Sequence, residues 1–279
     1  MQTLRTIIFT VFAVVLLAYG QPEPETNPAA PAPPAVTTFA VTPIPKKESF
    51  HLYLLMGQSN MAGRDRSKLA EQVDIPHVVT LTDDEKWFVA RDPIHSQQGR
   101  VEPGAGPGIS FAKEMSKADP KITIGLIPCA VGGSPLKRWV KGGDLYQIAV
   151  QRAKAAAQVG TVKGVLWHQG ETDTLKKETA DSYETRLTQM IKDLRADLNQ
   201  PELPVVVGQL GDFLSLTSDK YPFVDTVRSA IKHMPEVVQH VGYADSAGLE
   251  HQGDKLHFNA DAAKELGTRY AKAMQGLQK

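Results

Sequence analysis

Residues 50–61, FHLYLLMGQSNM, carry the clearest structural signal in the chain. The apolar run predicts a strand over Phe50–Met56, and the polar residues Gly57 to Met61 follow it without a gap. A serine at such a strand-to-helix turn presents its hydroxyl outward, with the amides of a helix start close by. The stretch therefore predicts a core strand that ends in a candidate reactive serine, Ser59. The alternative is a serine that merely caps a helix.

Further along the chain, short apolar runs alternate with amphipathic stretches. This alternation predicts right-handed crossovers and a parallel sheet with helices on both faces. The predicted strands are Phe50–Met56, His77–Leu81, Ile122–Pro128, Val162–Trp167, Pro204–Leu210 and Val237–Tyr243. The predicted helices are Gly108–Ala118, Asp144–Gln158, Thr179–Leu198, Val224–His233 and Ala260–Gln275, the last capped by Asn259. Ligands of such sheets bind where the strands end at their carboxyl edge.

The composition excludes several classes of function. The chain has 279 residues, with 31 Lys and Arg against 31 Asp and Glu, and one Cys. Phosphate contacts to a nucleic acid require a basic surplus on at least one face, and no long Lys/Arg block is present, so no nucleic-acid partner is expected. A single Cys excludes an internal disulfide framework and a multi-cysteine metal cluster. Function must therefore be inferred from local motifs.

The first 46 residues are expected to lie outside the folded domain. Residues 1–20 have the features of a signal peptide: Arg5 supplies positive charge, an apolar run follows, and Ala18-Tyr19-Gly20 is a small-x-small cleavage site. The run falls short of the ~20 residues that span a bilayer, so no stable membrane insertion is expected after cleavage; an uncleaved anchor is the alternative. Residues 21–46 hold 8 of the 19 prolines and predict an extended tether. One folded domain, residues 47–279, remains.

A second polar segment, PCAVGGSP at residues 128–135, follows another predicted strand. Its paired glycines, Gly132 and Gly133, let the backbone approach a ligand and point an amide at it, although an ordinary loop turn explains them equally well. No activating partner is implied for Cys129, which we interpret as a small buried residue rather than a nucleophile.

A third polar segment, WHQGETD at residues 167–173, also follows a predicted strand. Polar side chains at a strand end are costly to bury without partners, which favours a polar site over packing. Gln169 can donate an amide N–H, and Glu171 can accept from an imidazole. A metal site made of His168, Glu171 and Asp173 stays open, although the spacing matches no zinc motif.

A fourth segment, GDKLHF at residues 253–258, precedes the last predicted helix. Asp254 and His257 are three residues apart on a turn and can be neighbours. The carboxylate can then fix the imidazole tautomer, while the other ring nitrogen faces outward as a base. Among the eight histidines, only His257 has such a pairing; His251 lies close in sequence and is a minor competitor.

The order of these segments, with Ser first, then Gly, then Gln, then Asp-x-x-His, resembles the four sequence blocks of the SGNH hydrolase superfamily. More closely, GQSNM (57–61), GGSPL (132–136), WHQGETD (167–173) and GPGISFA (106–112) are similar to the branch that contains sialate O-acetylesterases and the acetylxylan-esterase-like carbohydrate esterase family six. The similarity covers roughly Leu52–Tyr270. It implies an α/β three-layer sandwich with a central, mostly parallel five-stranded sheet, the flavodoxin-like SGNH hydrolase fold.

The resemblance also implies roles for individual residues. Ser59 would be the nucleophile, His257 the general base and Asp254 its orienting carboxylate, with Glu171 as an alternative acid. The expected oxyanion donors are the amides of Ser59 and of Gly132 or Gly133, and the side chain of Gln169. The expected substrate-binding residues are Gln58, Asn60 and Trp139. For Trp139, stacking on a sugar and burial in the core are both open.

By resemblance, the expected activity is hydrolysis of acetyl esters of glycans through an acyl-enzyme, without metal or organic cofactor. Xylan, acetylated sialic acid and other acetylated glycans all fit an exported enzyme, secreted or periplasmic. The alternatives are a lipase or thioesterase of the same superfamily, and a carbohydrate-binding protein that has lost the chemistry. A nucleotide- or phosphate-binding protein is disfavoured, because the chain lacks a Walker pattern and a G-x-G-x-x-G motif. The sequence leaves the oligomeric state open.

Overall fold

The computed structural model of the chain describes residues 43–96, 102–217 and 219–279. The expected signal peptide, residues 1–20, lies outside the described residues, as does the expected tether up to residue 42. Within the described part, no helix has the length and hydrophobicity needed to cross a lipid bilayer.

A seven-stranded sheet lies at the centre of the described residues. Its strands are β1 (Phe50–Gly57), β2 (Val78–Leu81), β3 (Trp87–Val89), β4 (Thr123–Pro128), β5 (Thr161–His168), β6 (Val205–Gly208) and β7 (Val241–Ala244). Their order in the sheet is β3-β2-β4-β1-β5-β6-β7. Neighbours are parallel except for the antiparallel pair β2 and β3. The central strand β1 is buried along its length apart from the half-buried His51, which explains its continuous apolar sequence.

The α/β class is confirmed, but the expected number of five strands was wrong. Six parallel strands are present as β2-β4-β1-β5-β6-β7, and β3 adds an antiparallel edge strand through its hairpin with β2. Strand β2 coincides with the predicted strand His77–Leu81. Strand β3 has only three residues, which is too short for an alternation of apolar and polar side chains to be recognised in the sequence.

Helices cover both faces of the sheet. They are α1 (Ser59–Ala62), α2 (Gly108–Ala118), α3 (Asp144–Ala156), α4 (Lys177–Asp181), α5 (Tyr183–Asp197), α6 (Val224–Val237) and α7 (Ala260–Leu277). Helices α2 and α7 pack together on one face. Right-handed crossovers place α3, α5 and α6 on the other face, where α5 packs against α6. The Asn259 side chain accepts from the Ala262 amide at 2.8 Å, so the predicted cap of α7 is confirmed.

Two of the predicted boundaries that differ from the structure concern how the elements are divided. The single helix predicted over Thr179–Leu198 is interrupted at Ser182, between α4 and α5. The strand predicted from Val237 begins only at Val241, because α6 continues through Pro235 to Val237. Apolar residues at the end of a buried helix and at the start of a buried strand look alike in sequence, so this boundary was misplaced.

Candidate active site

The four polar segments meet at the carboxyl edge of the sheet. Three of them follow β1, β4 and β5, which are adjacent strands. Gly57 pairs with His168 and Leu55 with Pro128, so these strands end side by side. The fourth segment precedes α7 and reaches the same edge, where His257 contacts Ser59.

Ser59 is the first residue of α1, which begins directly after the turn that ends β1. The turn is tight, because Gly57 has a φ of 129° and a Cβ atom there would lie 2.0 Å from the carbonyl oxygen of His168. Gln58 donates its N–H to the same oxygen at 2.9 Å. Glycine at residue 57 therefore lets the turn pack against β5 and hold Ser59 above the strand end.

Ser59, His257 and Asp254 form a continuous hydrogen-bonded chain. The Ser59 Oγ and His257 Nε2 atoms are 3.0 Å apart, and His257 Nδ1 lies 2.6 Å from Asp254 Oδ2. The other carboxylate oxygen of Asp254 accepts from the backbone amides of Leu256 and His257. An ionised carboxylate only accepts, so Nδ1 carries the proton and Nε2 is free to accept from the serine hydroxyl.

The surroundings stabilise this protonation pattern. Burial by itself would raise the pKa of Asp254, but hydrogen bonds from the His257 amide, the Gln252 side chain and the imidazole outweigh it and lower the pKa well below its usual value. Burial also lowers the pKa of His257. The bond to Asp254 raises that pKa, while the nearby cations Arg64 and Lys220 lower it further, and the net shift is downward from 6.5.

The lowered pKa of His257 predicts the pH dependence of the reaction. Nε2 can take a proton only when it is unprotonated, so activity falls as the pH drops through the histidine pKa. Because that pKa lies below 6.5, the neutral base persists into mildly acidic solution. We expect the acid limb of kcat/KM for a neutral aryl acetate to have its midpoint below pH 6.5. A midpoint above this value, measured with the same ester over a series of buffers, would contradict the environment described for His257.

Asn60 fixes the loop on both sides of His257. Its Nδ2 donates to the Leu256 carbonyl at 3.1 Å, and its Oδ1 accepts from the Phe258 amide at 3.1 Å. Nδ2 also donates to Glu171 Oε1 at 2.6 Å. These bonds occupy the amide, and Asn60 does not line the cavity beside Ser59. The structure thus corrects the expectation that Asn60 contacts substrate: it joins the nucleophile turn to the histidine loop.

Asn60→Ala should therefore reduce turnover more than its effect on folding explains. The change leaves the Leu256 carbonyl and the Phe258 amide without hydrogen-bond partners. Each unpaired buried group costs about 1–3 kcal/mol of the free energy of unfolding. The loop is then no longer fixed, so the His257 imidazole can move away from Ser59. We expect kcat for an aryl acetate to fall by between about 10- and 100-fold, with KM nearly constant.

The matched control for this prediction is Asn259→Ala, which removes the cap of α7 close to the same loop. Asn259→Ala should lower the free energy of unfolding by about 1 kcal/mol and leave kcat unchanged. Equal kcat values for the Asn60 and Asn259 variants would mean that Asn60 does not position His257.

Glu171 lies beside Asn60 and not beside His257. Its side chain is buried, Oε1 accepts from Asn60, and Oε2 has no partner among the described residues. Burial is the largest effect on its carboxyl group and raises the pKa. Glu171 lines the cavity, but the histidine pairs with Asp254, so the geometry does not support Glu171 as the orienting acid.

Backbone amides next to Ser59 are available to bind an oxyanion. Among the described residues, the amides of Ser59, Gly132 and Gly133 have no hydrogen-bond acceptor. Gln169 is placed differently from the expectation: it is fully buried, and Nε2 donates to Gln58 Oε1, the Ser134 carbonyl and Asp173 Oδ2 at 3.2, 3.2 and 2.7 Å. Three acceptors surround this nitrogen, so neither of its N–H groups is directed at the cavity. The Gln169 side chain instead holds the residues beneath the cavity wall in place.

Trp139 is a core residue. It is fully buried, its Nε1 donates to the Ser134 hydroxyl at 2.9 Å, and its ring meets Trp167 edge-on. Of the two possibilities left open for Trp139, the structure shows burial in the core and not stacking on a sugar, because no face of the ring is open to a ligand. Cys129 is buried, as interpreted from the sequence, and burial raises the pKa of its thiol to about 11.

The cavity beside Ser59 has a volume of about 600 Å³. It includes Gln58, Gly132 and Gly133 from the expected set. It also includes residues that sequence reasoning missed: Arg64, Val131, Thr172, Leu175, Lys220, Tyr221 and Leu256. Arg64, Thr172 and Leu256 lie within five residues of predicted site residues, so proximity in sequence could have indicated them. Lys220 and Tyr221 lie in the loop after β6 and had no such signal.

The possible metal site at the end of β5 is not formed in the described part of the chain. Asp173 accepts from the Leu136 amide at 2.8 Å and from Arg186 at 2.9 Å. His168 places Nδ1 3.1 Å from the Tyr270 hydroxyl, and burial lowers the pKa of its imidazole to about 3. No group of His, Cys, Asp and Glu side chains in the described residues is arranged to hold a metal ion.

Comparisons with known proteins identify relatives of the chain. The sequence profile of the family "carbohydrate esterase, sialic acid-specific acetylesterase" (SASA) matches residues 49–276. A protein of Arabidopsis thaliana named as a probable carbohydrate esterase is 34% identical over 252 residues, which are 83% of this chain and 92% of the plant protein.

Solved structures show the same fold. A crystal structure of an Arabidopsis thaliana protein has a TM-score of 0.72 at 32% identity, covering 81% of this chain and 98% of that one. A carbohydrate acetylesterase from Xanthomonas citri has a TM-score of 0.64 at 21% identity over 81% of this chain and 56% of its own. The crystal structure of NanS has a TM-score of 0.64 at 16% identity, covering 84% of this chain and 99% of the NanS chain. Because the family profile matches residues 49–276, the chain belongs to the SASA family of carbohydrate esterases.

Proposed function

We propose that this protein is an exported carbohydrate O-acetylesterase that uses Ser59 as its nucleophile. The observation that carries the proposal is the chain of hydrogen bonds from Ser59 through His257 to Asp254, with distances of 3.0 and 2.6 Å. Membership of the SASA family supports hydrolysis of acetyl esters. The roles of the individual residues are inferred from the geometry of the site.

In the first half of the reaction, Ser59 Oγ attacks the acetyl carbonyl while His257 Nε2 takes the hydroxyl proton. Asp254 keeps the imidazole in the tautomer that can accept this proton and stabilises the imidazolium that forms. The carbonyl electron pair moves to oxygen. The free amides of Ser59 and of Gly132 or Gly133 would donate to that oxygen, each worth about 3 kcal/mol in the transition state.

In the second half, the intermediate collapses and the sugar oxygen leaves with the proton from His257. An acetyl group then remains on Ser59. Water enters, His257 Nε2 takes one of its protons, and the hydroxide adds to the acetyl carbonyl to give a second tetrahedral intermediate. His257 then returns the proton to Ser59 Oγ as the bond from carbon to that oxygen breaks, which restores the serine. The product leaves as acetic acid and loses its remaining acidic proton to the solvent.

The substrate is proposed to be an acetylated glycan. The relatives named as carbohydrate esterase and carbohydrate acetylesterase support this class. Xylan, acetylated sialic acid and other acetylated glycans all remain candidates. The signal-peptide features of residues 1–20 support export to the periplasm or the medium, with the esterase domain, residues 47–279, following the proline-rich tether.

A series of aryl esters with increasing acyl length tests this proposal against a lipase or thioesterase. We expect the acetyl ester to have the highest kcat/KM, with a steady fall as the acyl chain lengthens. A preference for long acyl chains would favour a lipase-type enzyme. Binding of glycans with no hydrolysis of any ester would favour a carbohydrate-binding protein of this fold.

A further inference from the structure

The Arg64 guanidinium is a cation of the cavity to which the mechanism above gives no role. Arg64 lies two residues after α1 and lines the cavity together with Ser59 and His257. Its Nη1 donates to the Gly63 carbonyl at 2.7 Å. Within the residues that the structure describes, Nη2 and Nε have no hydrogen-bond acceptor. Two of its nitrogens are therefore free to bind a ligand.

Arg64 also lacks an acidic partner in the described parts of the chain. Burial lowers the pKa of its guanidinium, and no carboxylate offsets that effect. Other arginines, such as Arg66, Arg138 and Arg186, pair with carboxylates. Arg195 has no acidic partner either, but it donates to two backbone carbonyls and lies outside the cavity. A partly buried cation without a counter-charge is costly, which indicates that negative charge reaches Arg64 during function.

Nη2 of Arg64 lies on the same side of the cavity as Ser59, beside Gly132. A Cβ atom placed on Gly132 would be 2.2 Å from Nη2 and 4.0 Å from the Ser59 Cβ atom. Both atoms therefore border the same small space. Gly132 leaves this space to the guanidinium, and its own amide has no acceptor among the described residues. Negative charge develops beside Ser59 when its hydroxyl adds to a carbonyl.

We propose that Arg64 is a further catalytic residue, whose guanidinium stabilises the oxyanion formed when Ser59 adds to the ester. This inference rests on the proposed function. As the Ser59 Oγ–carbon bond forms, the hydroxyl proton moves to His257 and the carbonyl π electrons become a lone pair on oxygen. Arg64 stays protonated throughout and donates to that oxygen beside the Gly132 amide. When the carbonyl re-forms and the sugar oxygen leaves, the negative charge next to Arg64 disappears.

The test compares kcat and KM for a neutral aryl acetate between wild type, Arg64→Met and Arg64→Gln. Gln keeps a donor for the Gly63 carbonyl but removes the charge. In both variants kcat should fall by about 100-fold or more, the loss expected for an oxyanion donor, while KM changes little. The matched control is Arg66→Met, because Arg66 also donates to a backbone carbonyl but does not line the cavity. It should retain the wild-type kcat.

Two further measurements separate catalysis from a structural role. Guanidinium ion added at low concentration should partly restore kcat in Arg64→Ala, whereas equal concentrations of sodium chloride should not. The acid limb of kcat/KM should also move to higher pH in Arg64→Gln. Of the charged groups that act on His257, this variant removes one cation and leaves Asp254 and Lys220 in place.

Unchanged kcat in folded Arg64→Met and Arg64→Gln would overturn the role of Arg64 and leave the proposed esterase activity intact. A rise in KM confined to esters that carry a carboxylate would also overturn it, since Arg64 would then bind a fixed charge of the substrate. If wild type hydrolysed no ester, the proposed function and this inference would both fail.

Discussion

Replacing Ser59 with alanine is expected to lower the kcat for an aryl acetate by about 10⁴-fold or more. The variant has no oxygen to receive the acetyl group, so His257 has no hydroxyl to deprotonate. The cavity and the free amides of Gly132 and Gly133 remain in place. Any residual rate would therefore come from water that attacks a bound ester, and substrate binding should be nearly unchanged.

The control for this prediction is Ser246→Ala. Ser246 is fully buried and donates to the Leu210 carbonyl at 2.8 Å, outside the cavity. Losing its hydroxyl should lower the melting temperature and leave kcat/KM unchanged. If the two serine variants hydrolysed the ester at comparable rates, Ser59 would not be the nucleophile.

The second large effect is expected from Asp254→Asn. The amide N–H of Asn at this position can donate a hydrogen bond to an unprotonated His257 Nδ1, which favours the imidazole tautomer with its proton on Nε2. That tautomer cannot accept from Ser59, so kcat should fall by about 10⁴-fold even if the backbone is unchanged. We expect this loss of kcat at Asp254 because its carboxylate lies 2.6 Å from His257 Nδ1.

Glu171→Gln is the matched acid-to-amide change at the other candidate acid, which lines the cavity beside Ser59. The Gln side chain can still accept from Asn60, and burial already favours the uncharged form of Glu171. We expect its kcat to stay within about tenfold of wild type, because the change is close to isosteric. A larger loss for Glu171→Gln than for Asp254→Asn would reverse the assignment of the orienting acid.

Much of the fold could be predicted from local sequence. The apolar run that became β1 and the periodic stretch that became α2 were placed within one residue of their observed bounds. The hairpin strand β3 was missed, because three residues give no periodic signal. The helix break at Ser182 was missed too, since the side chains on either side of it continue the same apolar spacing.

The site was predictable only in part, for a geometric reason. Strand ends gather at one sheet edge, so the segments containing Ser59 and His257 could be brought together from sequence order alone. The direction in which a side chain points could not be predicted from sequence. Gln169 lies in a predicted segment and Trp139 just after another, but both point into the protein, where Asp173 and Ser134 bind them. Arg64 was missed because its unpaired charge is visible only in three dimensions.

Removal of acetyl groups from a glycan by Ser59 can be measured as the release of free acetate. Wild type and Ser59→Ala should be incubated with acetylated sialic acid, acetylated xylan and a long-chain aryl ester, and free acetate or fatty acid quantified. We expect acetate from at least one acetylated glycan with wild type and none above background with Ser59→Ala. Cleavage of the long-chain ester without acetate from any glycan would rule out the proposed acetylesterase activity.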